Sequence, residues 1–255
     1  MTKPTSSDIL VIDVGATSIK STVVSLTGER LQPIRKRKTP RPLGPTELIQ
    51  ILFERVQLEE PIRVAVGVPV ECHAGVVSGS GNLARSGSIS SKSDESLEQR
   101  WQGFCIEQEF AKVSKRDVIV LNDAALAALG CVSGSGIELV LALGTGFGVA
   151  LAHAGILQEI ADYGEIEFKG DRFDGRLGEA ARRNDEARWK EDLNEAIRLL
   201  VDEHEAERVW LVGGNAKRLK VADFANQAVP VLIAGNEAPF SGGATVFNNP
   251  LAIGR

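Results

Sequence analysis

Short apolar runs rich in β-branched residues recur through the first half of the chain, each bounded by turn-forming residues. This pattern is typical of buried strands. The predicted strands of this half cover residues 9–12, 21–25, 30–38, 63–68 and 118–121. Between them, apolar residues recur at helical spacing over 46–58, with Thr46 as the N-cap, and over 101–113. Strands and helices in this order predict an α/β domain with a mixed sheet.

The second half continues the alternation of strands and helices. A helix is predicted over 124–129 and a long amphipathic helix over 185–203. The apolar run 137–157 is interrupted by glycines, His153 and Glu138, which favour two strands over a membrane span. The predicted strands of this half cover residues 139–143, 149–154, 209–212 and 229–233, and a short helix covers 242–247.

One long segment, residues 71–98, is rich in Gly and Ser and weakly patterned. Loops of this length inside a compact domain are usually functional or disordered. Within it, Asn82 and Leu83 are the residues that we expect to be ordered.

Composition excludes several classes of function. A net charge of −5 and a pI of about 5.4 argue against a nucleic-acid-binding or anionic-membrane-binding surface. Residues 1–8 are polar and lack the apolar core of a signal peptide, so we expect a cytoplasmic protein. Three cysteines without a CxxC spacing imply neither a disulfide framework nor structural zinc.

Two glycine-containing turns follow strands and suit phosphate binding. In the first, Asp13 can hold Mg²⁺ through water, Gly15 permits close backbone approach, and Thr17 offers a hydroxyl and an N–H. The second is the GTGFG turn of residues 144–148, whose backbone N–H groups can cradle a phosphate. An ordinary hairpin turn remains the alternative for each.

Further polar residues stand where strands end. Asn122 and Asp123 follow a buried strand, where an acid is either a functional carboxylate or a helix N-cap. The Gly213-Gly214 pair follows another strand and permits close approach of a ligand. The cations of residues 35–38 either guard an edge strand or attract a polyanion. The acidic segment 159–168 is either a solvated loop or part of a site.

The order of these motifs resembles the actin-like ATPase (ribonuclease H-like) fold and, within it, the ROK sugar kinases, near the polyphosphate glucokinase branch. The motifs that carry the resemblance are residues 13–20 (DVGATSIK), 121–123 (LND), 141–151 (LALGTGFGVAL) and 211–218 (LVGGNAKR). Residues 39–42 (TPRP), 82–83 (NL), 101–103 (WQG) and 187–190 (ARWK) support the polyphosphate branch. The resemblance implies two α/β domains flanking a cleft, residues 1–120 and 121–255, with the last helix packing back on the first domain.

The resemblance also implies an activity in carbohydrate metabolism. The expected enzyme is a Mg²⁺-dependent phosphotransferase that moves the terminal phosphate of ATP or polyphosphate to a hexose hydroxyl, with Asp123 as the general base. The implied phosphate-binding residues are Asp13, Gly15, Thr17, Lys20, Gly144, Thr145 and Gly146. The implied sugar-binding residues are Asn82, Asn122, Asp123, Asp162 and Glu165, and the implied adenosine-binding residues are Gly213, Gly214 and Asn215. Asp13 is the expected Mg²⁺ residue, through water. Homodimers are common in the family, although the sequence shows no interface signature.

The chain departs from the family pattern at the sugar loop, residues 162–165. The family's Glu-x-Gly-His aligns with Asp162-Tyr163-Gly164-Glu165, so sugar hydroxyls are expected to face acceptors only and the pocket to gain negative charge. A catalytically weak sugar- or nucleotide-binding sensor on the same fold therefore stays open as an alternative, as does an ATPase without a sugar acceptor. The zinc-binding cysteine cluster of many ROK proteins is missing, so no zinc is expected.

Overall fold

Two five-stranded sheets form the framework of the computed structural model, which describes residues 4–86 and 93–254. The first seven strands are β1 (Ile9–Val14), β2 (Ser18–Val24), β3 (Arg35–Lys38), β4 (Arg63–Val68), β5 (Glu71–His73), β6 (Val76–Gly79) and β7 (Asp117–Asn122). The other seven are β8 (Ile137–Leu143), β9 (Phe147–His153), β10 (Ile156–Gln158), β11 (Glu167–Phe168), β12 (Asp171–Arg172), β13 (Arg208–Val212) and β14 (Val231–Gly235). The helices are α1 (Pro45–Val56), α2 (Glu95–Trp101), α3 (Ile106–Ser114), α4 (Asp123–Ala128), α5 (Phe173–Leu177), α6 (Glu179–Asn184), α7 (Glu186–His204) and α8 (Ala238–Asn248).

Both large sheets are mixed, which confirms the predicted α/β class. The N-terminal sheet has the order β3-β2-β1-β4-β7, with β1, β4 and β7 parallel. The C-terminal sheet has the order β10-β9-β8-β13-β14, with β8, β13 and β14 parallel. Because parallel strands end at the same edge, each sheet presents the loops that follow its central strands together. These two edges supply the residues of the cleft described below.

The last helix, α8, packs against both α4 and the N-terminal sheet. Phe240 and Ala244 share an apolar cluster with Ile9 and Val11 of β1. The contact with α4 is very close, since a Cβ added at Gly242 would lie 1.9 Å from the Leu126 carbonyl oxygen. Part of the first sheet's core is therefore built from the far end of the described chain.

Several predicted element bounds were wrong, each for a local reason. The third strand begins at Arg35 rather than at residue 30. Helix α1 has Gly44 as its N-cap, not Thr46, because Pro45 takes the first helical position, where its missing N–H costs nothing. The helix predicted over 101–113 is two helices, α2 and α3, since Gly103 adopts a positive φ of 72° between them.

The segment 71–98 is less irregular than its composition predicts. Its described residues include the β5–β6 hairpin, and Asp94 caps α2 by accepting from the Leu97 N–H. Residues 87–92 lie outside the described part of the chain, whereas Asn82 and Leu83 lie within it. Across residues 4–86 and 93–254, no helix is both long and apolar enough to cross a membrane.

Candidate active site

A cleft of about 850 Å³ lies where the parallel strands of the two sheets end. Its walls combine the loops after β1, β4 and β7 with those after β8 and β13. All of the predicted site residues line it: Asp13, Gly15, Thr17, Lys20, Asn82, Asn122, Asp123, Gly144, Thr145, Gly146, Asp162, Glu165, Gly213, Gly214 and Asn215. The structure thus brings together residues spread over two hundred positions, while their individual roles stay predictions.

Asp123 opens helix α4 but is not its N-cap. That role belongs to Asn122, whose Oδ1 accepts from the N–H groups of Ala124 (2.9 Å) and Ala125 (3.4 Å). The Asn122 amide nitrogen also donates to the Val70 carbonyl (3.1 Å). Both polar atoms of the Asn122 side chain therefore have structural partners. Because Asn122 caps the helix, capping does not account for an acid at position 123.

The electrostatics of Asp123 suit a proton acceptor. Burial raises its pKa from 3.8 to about 7, and the negative charge of Asp13 adds to the increase. The Ala124 N–H and the Lys20 ammonium act in the opposite direction. A carboxyl group with a pKa near neutrality can accept a proton at physiological pH and release it again.

Asp13 is 7% exposed, and its carboxylate lies 2.7 Å from the Lys20 ammonium. The sheet register places Asp13 opposite Lys20 and Lys20 opposite Lys36, and all three line the cleft. Because residues directly opposite each other on neighbouring strands point to the same face of the sheet, Lys36 joins this row.

The flanking arginines of the predicted cation run have acidic partners instead. Arg37 pairs with Glu54 of α1 (2.7 Å), and Arg35 pairs with Glu59 just beyond that helix (3.4 Å). Residues 35–38 form one block of charge in the sequence. In the structure the pleat of β3 divides it, with Lys36 on the face that lines the cleft and the two arginines on the other face.

The two predicted phosphate loops face each other across the cleft. The hydroxyls of Thr17 and Thr145 are 2.6 Å apart, and Thr39 fixes the first loop by donating to the Gly15 carbonyl (2.7 Å). In the second loop the Gly144 N–H donates to the Gly146 carbonyl (3.1 Å). A phosphate held by one loop would therefore be within reach of the other.

The Gly-Gly turn after β13 is tied to the second phosphate loop. Gly213 has a φ of +92°, and a Cβ there would lie 2.5 Å from the Leu143 carbonyl oxygen, so only glycine fits without strain. The Asn215 amide donates to the Gly144 carbonyl (3.0 Å). By contrast, a Cβ at Gly214 would meet no neighbour within 4 Å, which leaves space beside the turn for a ligand.

The sequence analysis missed Asp174, a buried acid of α5 that lines the cleft. Its carboxylate accepts from the Phe147 N–H (2.6 Å) and from the Asn82 amide (3.2 Å). Burial raises its pKa. The other end of the Asn82 side chain, Oδ1, is buried and has no partner among the described residues. The signal in the sequence was slight: one acid between the apolar Phe173 and Leu177 on a short helix.

The sugar loop forms a 3-10 turn in which Asp162 accepts from the Gly164 N–H (3.0 Å). Desolvation and the nearby carboxylates raise the pKa of Asp162. Glu165 forms an ion pair with Arg172 (2.5 Å) and lies 4.0 Å from Arg85. The expected gain of negative charge at position 165 is thus offset by arginines that the motif alone did not reveal.

The donor set around Asp13 fits Mg²⁺. In addition to that carboxylate, the cleft offers the hydroxyls of Thr17 and Thr145 and the carboxylate of Asp123, all of them hard oxygen ligands. Among residues 4–86 and 93–254, no group of three or more His, Cys, Asp and Glu side chains is arranged to hold a metal. Mg²⁺ typically retains several waters and binds through one or two carboxylates plus substrate phosphates, so it needs no such cage.

Comparisons with known proteins agree with the geometry, although no protein-family model matches the chain. Polyphosphate glucokinase of Mycobacterium tuberculosis is 26% identical over 222 residues, covering 81% of this chain and 77% of that protein. The crystal structure of an inorganic polyphosphate/ATP-glucomannokinase from Arthrobacter sp. strain KM superposes with a TM-score of 0.79. It is 25% identical, and the match covers 95% of this chain and all of that one.

A ROK family glucokinase from Streptomyces griseus, solved in complex with glucose and AMPPNP, shares the fold. The TM-score is 0.71 at 16% identity, over 94% of this chain and 98% of that one. The resemblance predicted from the motifs is thereby confirmed: the chain is similar to polyphosphate glucokinases and has the fold of the ROK sugar kinases.

Proposed function

We propose that this protein is a sugar kinase that transfers the terminal phosphate of ATP or polyphosphate to a hydroxyl of a hexose such as glucose or mannose. The observation that carries the proposal is Asp123, a carboxyl group with a pKa of about 7 that lines the same cleft as two phosphate loops. The similarity to polyphosphate glucokinase and to the polyphosphate/ATP-glucomannokinase supports the choice of acceptor and donor.

In the proposed reaction, the oxygen of a sugar hydroxyl attacks the terminal phosphorus, and Asp123 accepts the proton of that hydroxyl. The phosphoanhydride bond breaks, and ADP or a shortened polyphosphate leaves. Such transfers depend mainly on positioning and on neutralising charge, which the facing loops around Thr17 and Thr145 and the ammonium of Lys20 can supply. When bound at Asp13, Mg²⁺ would neutralise part of the phosphate charge.

The sugar side of the cleft fits a polyhydroxyl ligand. The unpartnered Oδ1 of Asn82 can accept from a hydroxyl, and an acceptor buried without a partner is costly unless a ligand supplies the donor. Asp174 fixes the amide end of Asn82 and so orients that acceptor. We assign the contacts with the remaining hydroxyls to Asp162 and Glu165 of the sugar loop.

Two donors fit different parts of the cleft. The space beside Gly214 suits the adenosine of ATP, whereas the row of Lys20 and Lys36 leads away from Asp13 along the sheet and suits a longer polyanion. We propose that both donors place the transferred phosphate between the same two loops.

The deciding experiment is phosphate transfer by the purified protein with Mg²⁺, from ATP and from polyphosphate, to a panel that includes glucose and mannose. Asp123→Asn is the control, because it keeps the shape of the side chain and removes its basicity. Transfer to a sugar that is lost in Asp123→Asn supports the proposal. Equal transfer by both proteins would refute the role of Asp123. Sugar binding without transfer would favour the alternative of a sugar-binding sensor. The structure offers no separate support for that alternative at Glu165, because Arg172 offsets its charge.

A further inference from the structure

Tyr163 lies at the centre of the sugar loop and lines the main cleft, while its hydroxyl reaches towards helix α7. Its ring is 5% exposed and packs edge-on against Phe173, with ring centroids 5.9 Å apart. Its hydroxyl donates to Glu203 Oε1 (2.6 Å) and lies 2.7 Å from His204 Nε2. Both partners belong to the last turn of α7. The side chain of Tyr163 therefore ties the loop to a long helix.

The two bonds at this hydroxyl are compatible with each other. Tyr163 has one proton to donate, and the Glu203 carboxylate is the acceptor. His204 Nε2 then donates to the phenolic oxygen. Burial and the Glu203 charge raise the pKa of Tyr163, which keeps this proton in place.

On this side the loop is held by the packing of the Tyr163 ring and by the bonds of its hydroxyl. A second cavity, of about 490 Å³, lies behind it and is lined by Ile160, Tyr163, Glu203 and His204, among others. Because open space adjoins the loop here, the hydrogen bonds of the Tyr163 hydroxyl add to the restraint that ring packing provides. Tyr163 lines the main cleft together with Asp162 and Glu165, but the partners of its hydroxyl, Glu203 and His204, line the second cavity instead.

We propose that Tyr163 is a positioning residue that sets the affinity for the sugar, by holding Asp162 and Glu165 in place through its bonds to Glu203 and His204. The inference rests on the proposed function, because it concerns the sugar side of the same cleft. It adds a determinant that acts through Glu203 and His204, which do not line the main cleft. The phosphate loops share no hydrogen bond with this anchor among the described residues, so removing the Tyr163 hydroxyl while keeping its ring should leave donor binding unchanged.

The test is Tyr163→Phe, which keeps the ring and its packing and removes only the hydroxyl. We expect the sugar KM and the sugar Kd measured by calorimetry to rise about tenfold, as for loss of a hydrogen bond to a charged group, with the donor KM unchanged. Glu203→Ala should reproduce much of the effect. Glu203→Gln, which retains an acceptor oxygen, should preserve wild-type affinity, and Tyr163→Phe/Glu203→Ala should bind sugar no more weakly than Tyr163→Phe.

The matched control is Trp210→Phe. It also removes a hydrogen bond between an aromatic side chain and a glutamate of the C-terminal half, Trp210 Nε1 to Glu138 (2.8 Å), but outside the cleft. It should lower the Tm comparably and leave the sugar KM unchanged. If Tyr163→Phe leaves both sugar constants unchanged, or raises the KM for sugar and donor equally, the inference is wrong. A wild type that binds sugar but transfers no phosphate overturns the proposed function alone, since the comparison of Kd values still tests the anchor.

Discussion

The raised pKa of Asp123 predicts how the rate of transfer depends on pH. Only the ionised carboxylate can accept the sugar proton, so kcat/KM for the sugar should rise with pH and level off above about 7. At about pH 6 it should be near one tenth of the plateau value. A profile that is flat from about pH 5 to pH 9 would contradict the assignment of Asp123 as the general base.

The same group predicts an opposite trend in stability. The pKa of Asp123 is about 7 in the folded protein, against the ordinary value of 3.8 that applies to the unfolded chain. At pH values between the two, the folded state therefore binds more protons than the unfolded state. The free energy of unfolding therefore falls as pH rises from about 4 to about 7, and then stays level. One pKa unit corresponds to about 1.4 kcal/mol, which gives about 4 kcal/mol in total. Asp123 is partly exposed in the cleft, and solvent screening makes this an upper limit.

Asp123→Asn should remove this cost together with the activity. Without substrates, the variant should be more stable than the wild type at about pH 8, by up to about 10 °C in Tm, and the difference should vanish near pH 4. Asp117→Asn is the matched control, because Asp117 is an exposed acid at the start of β7, the strand that leads to Asp123. It should change neither profile. An Asp123→Asn protein that gains no stability at about pH 8 would show that burial of this carboxylate carries no cost.

Three further substitutions test other parts of the cleft. Lys36→Ala should raise the KM for polyphosphate several-fold more than the KM for ATP. Arg37→Ala, which alters the other face of β3, should not. Equal effects of Lys36→Ala on both donors would argue against a polyphosphate path along this face. Gly146→Ala would place a Cβ 2.5 Å from the carboxylate of Asp174, so it should lower stability by about 1–3 kcal/mol and abolish transfer, and an unaltered Tm would show that the loop can shift freely. Arg172→Ala should raise the sugar KM by exposing the sugar loop's negative charge, and an unchanged KM would mean that this charge is not felt by the sugar.

The strands, and the residues at their ends that form the cleft, could be predicted because both depend on the local sequence pattern. Apolar runs such as residues 118–121 have one stable environment, a buried strand, and a polar residue directly after such a strand lies at the edge of the sheet. Asp123 and Gly144 were found in this way. The motif resemblance then linked them into one cleft.

What the sequence did not reveal depends on contacts between distant segments. Asp174 follows no strand of the large sheets, and only its bonds to Asn82 and Phe147 make it part of the cleft. The partner of Glu165 is on β12, and the anchor of Tyr163 is forty residues away on α7. The split of the cation run required the register of β3 with β2, which charge counting cannot supply.

The packing of α8 on β1 has a consequence for how the chain folds during synthesis. The strands of the N-terminal sheet are complete at Asn122, but Phe240 and Ala244, which cover Ile9 and Val11, are made more than a hundred residues later. Until then that face of the sheet has only part of its apolar cover, and closing so long a loop is slow. A nascent chain paused before α8 should therefore expose an apolar surface, and chaperones would be expected to bind it until the helix emerges.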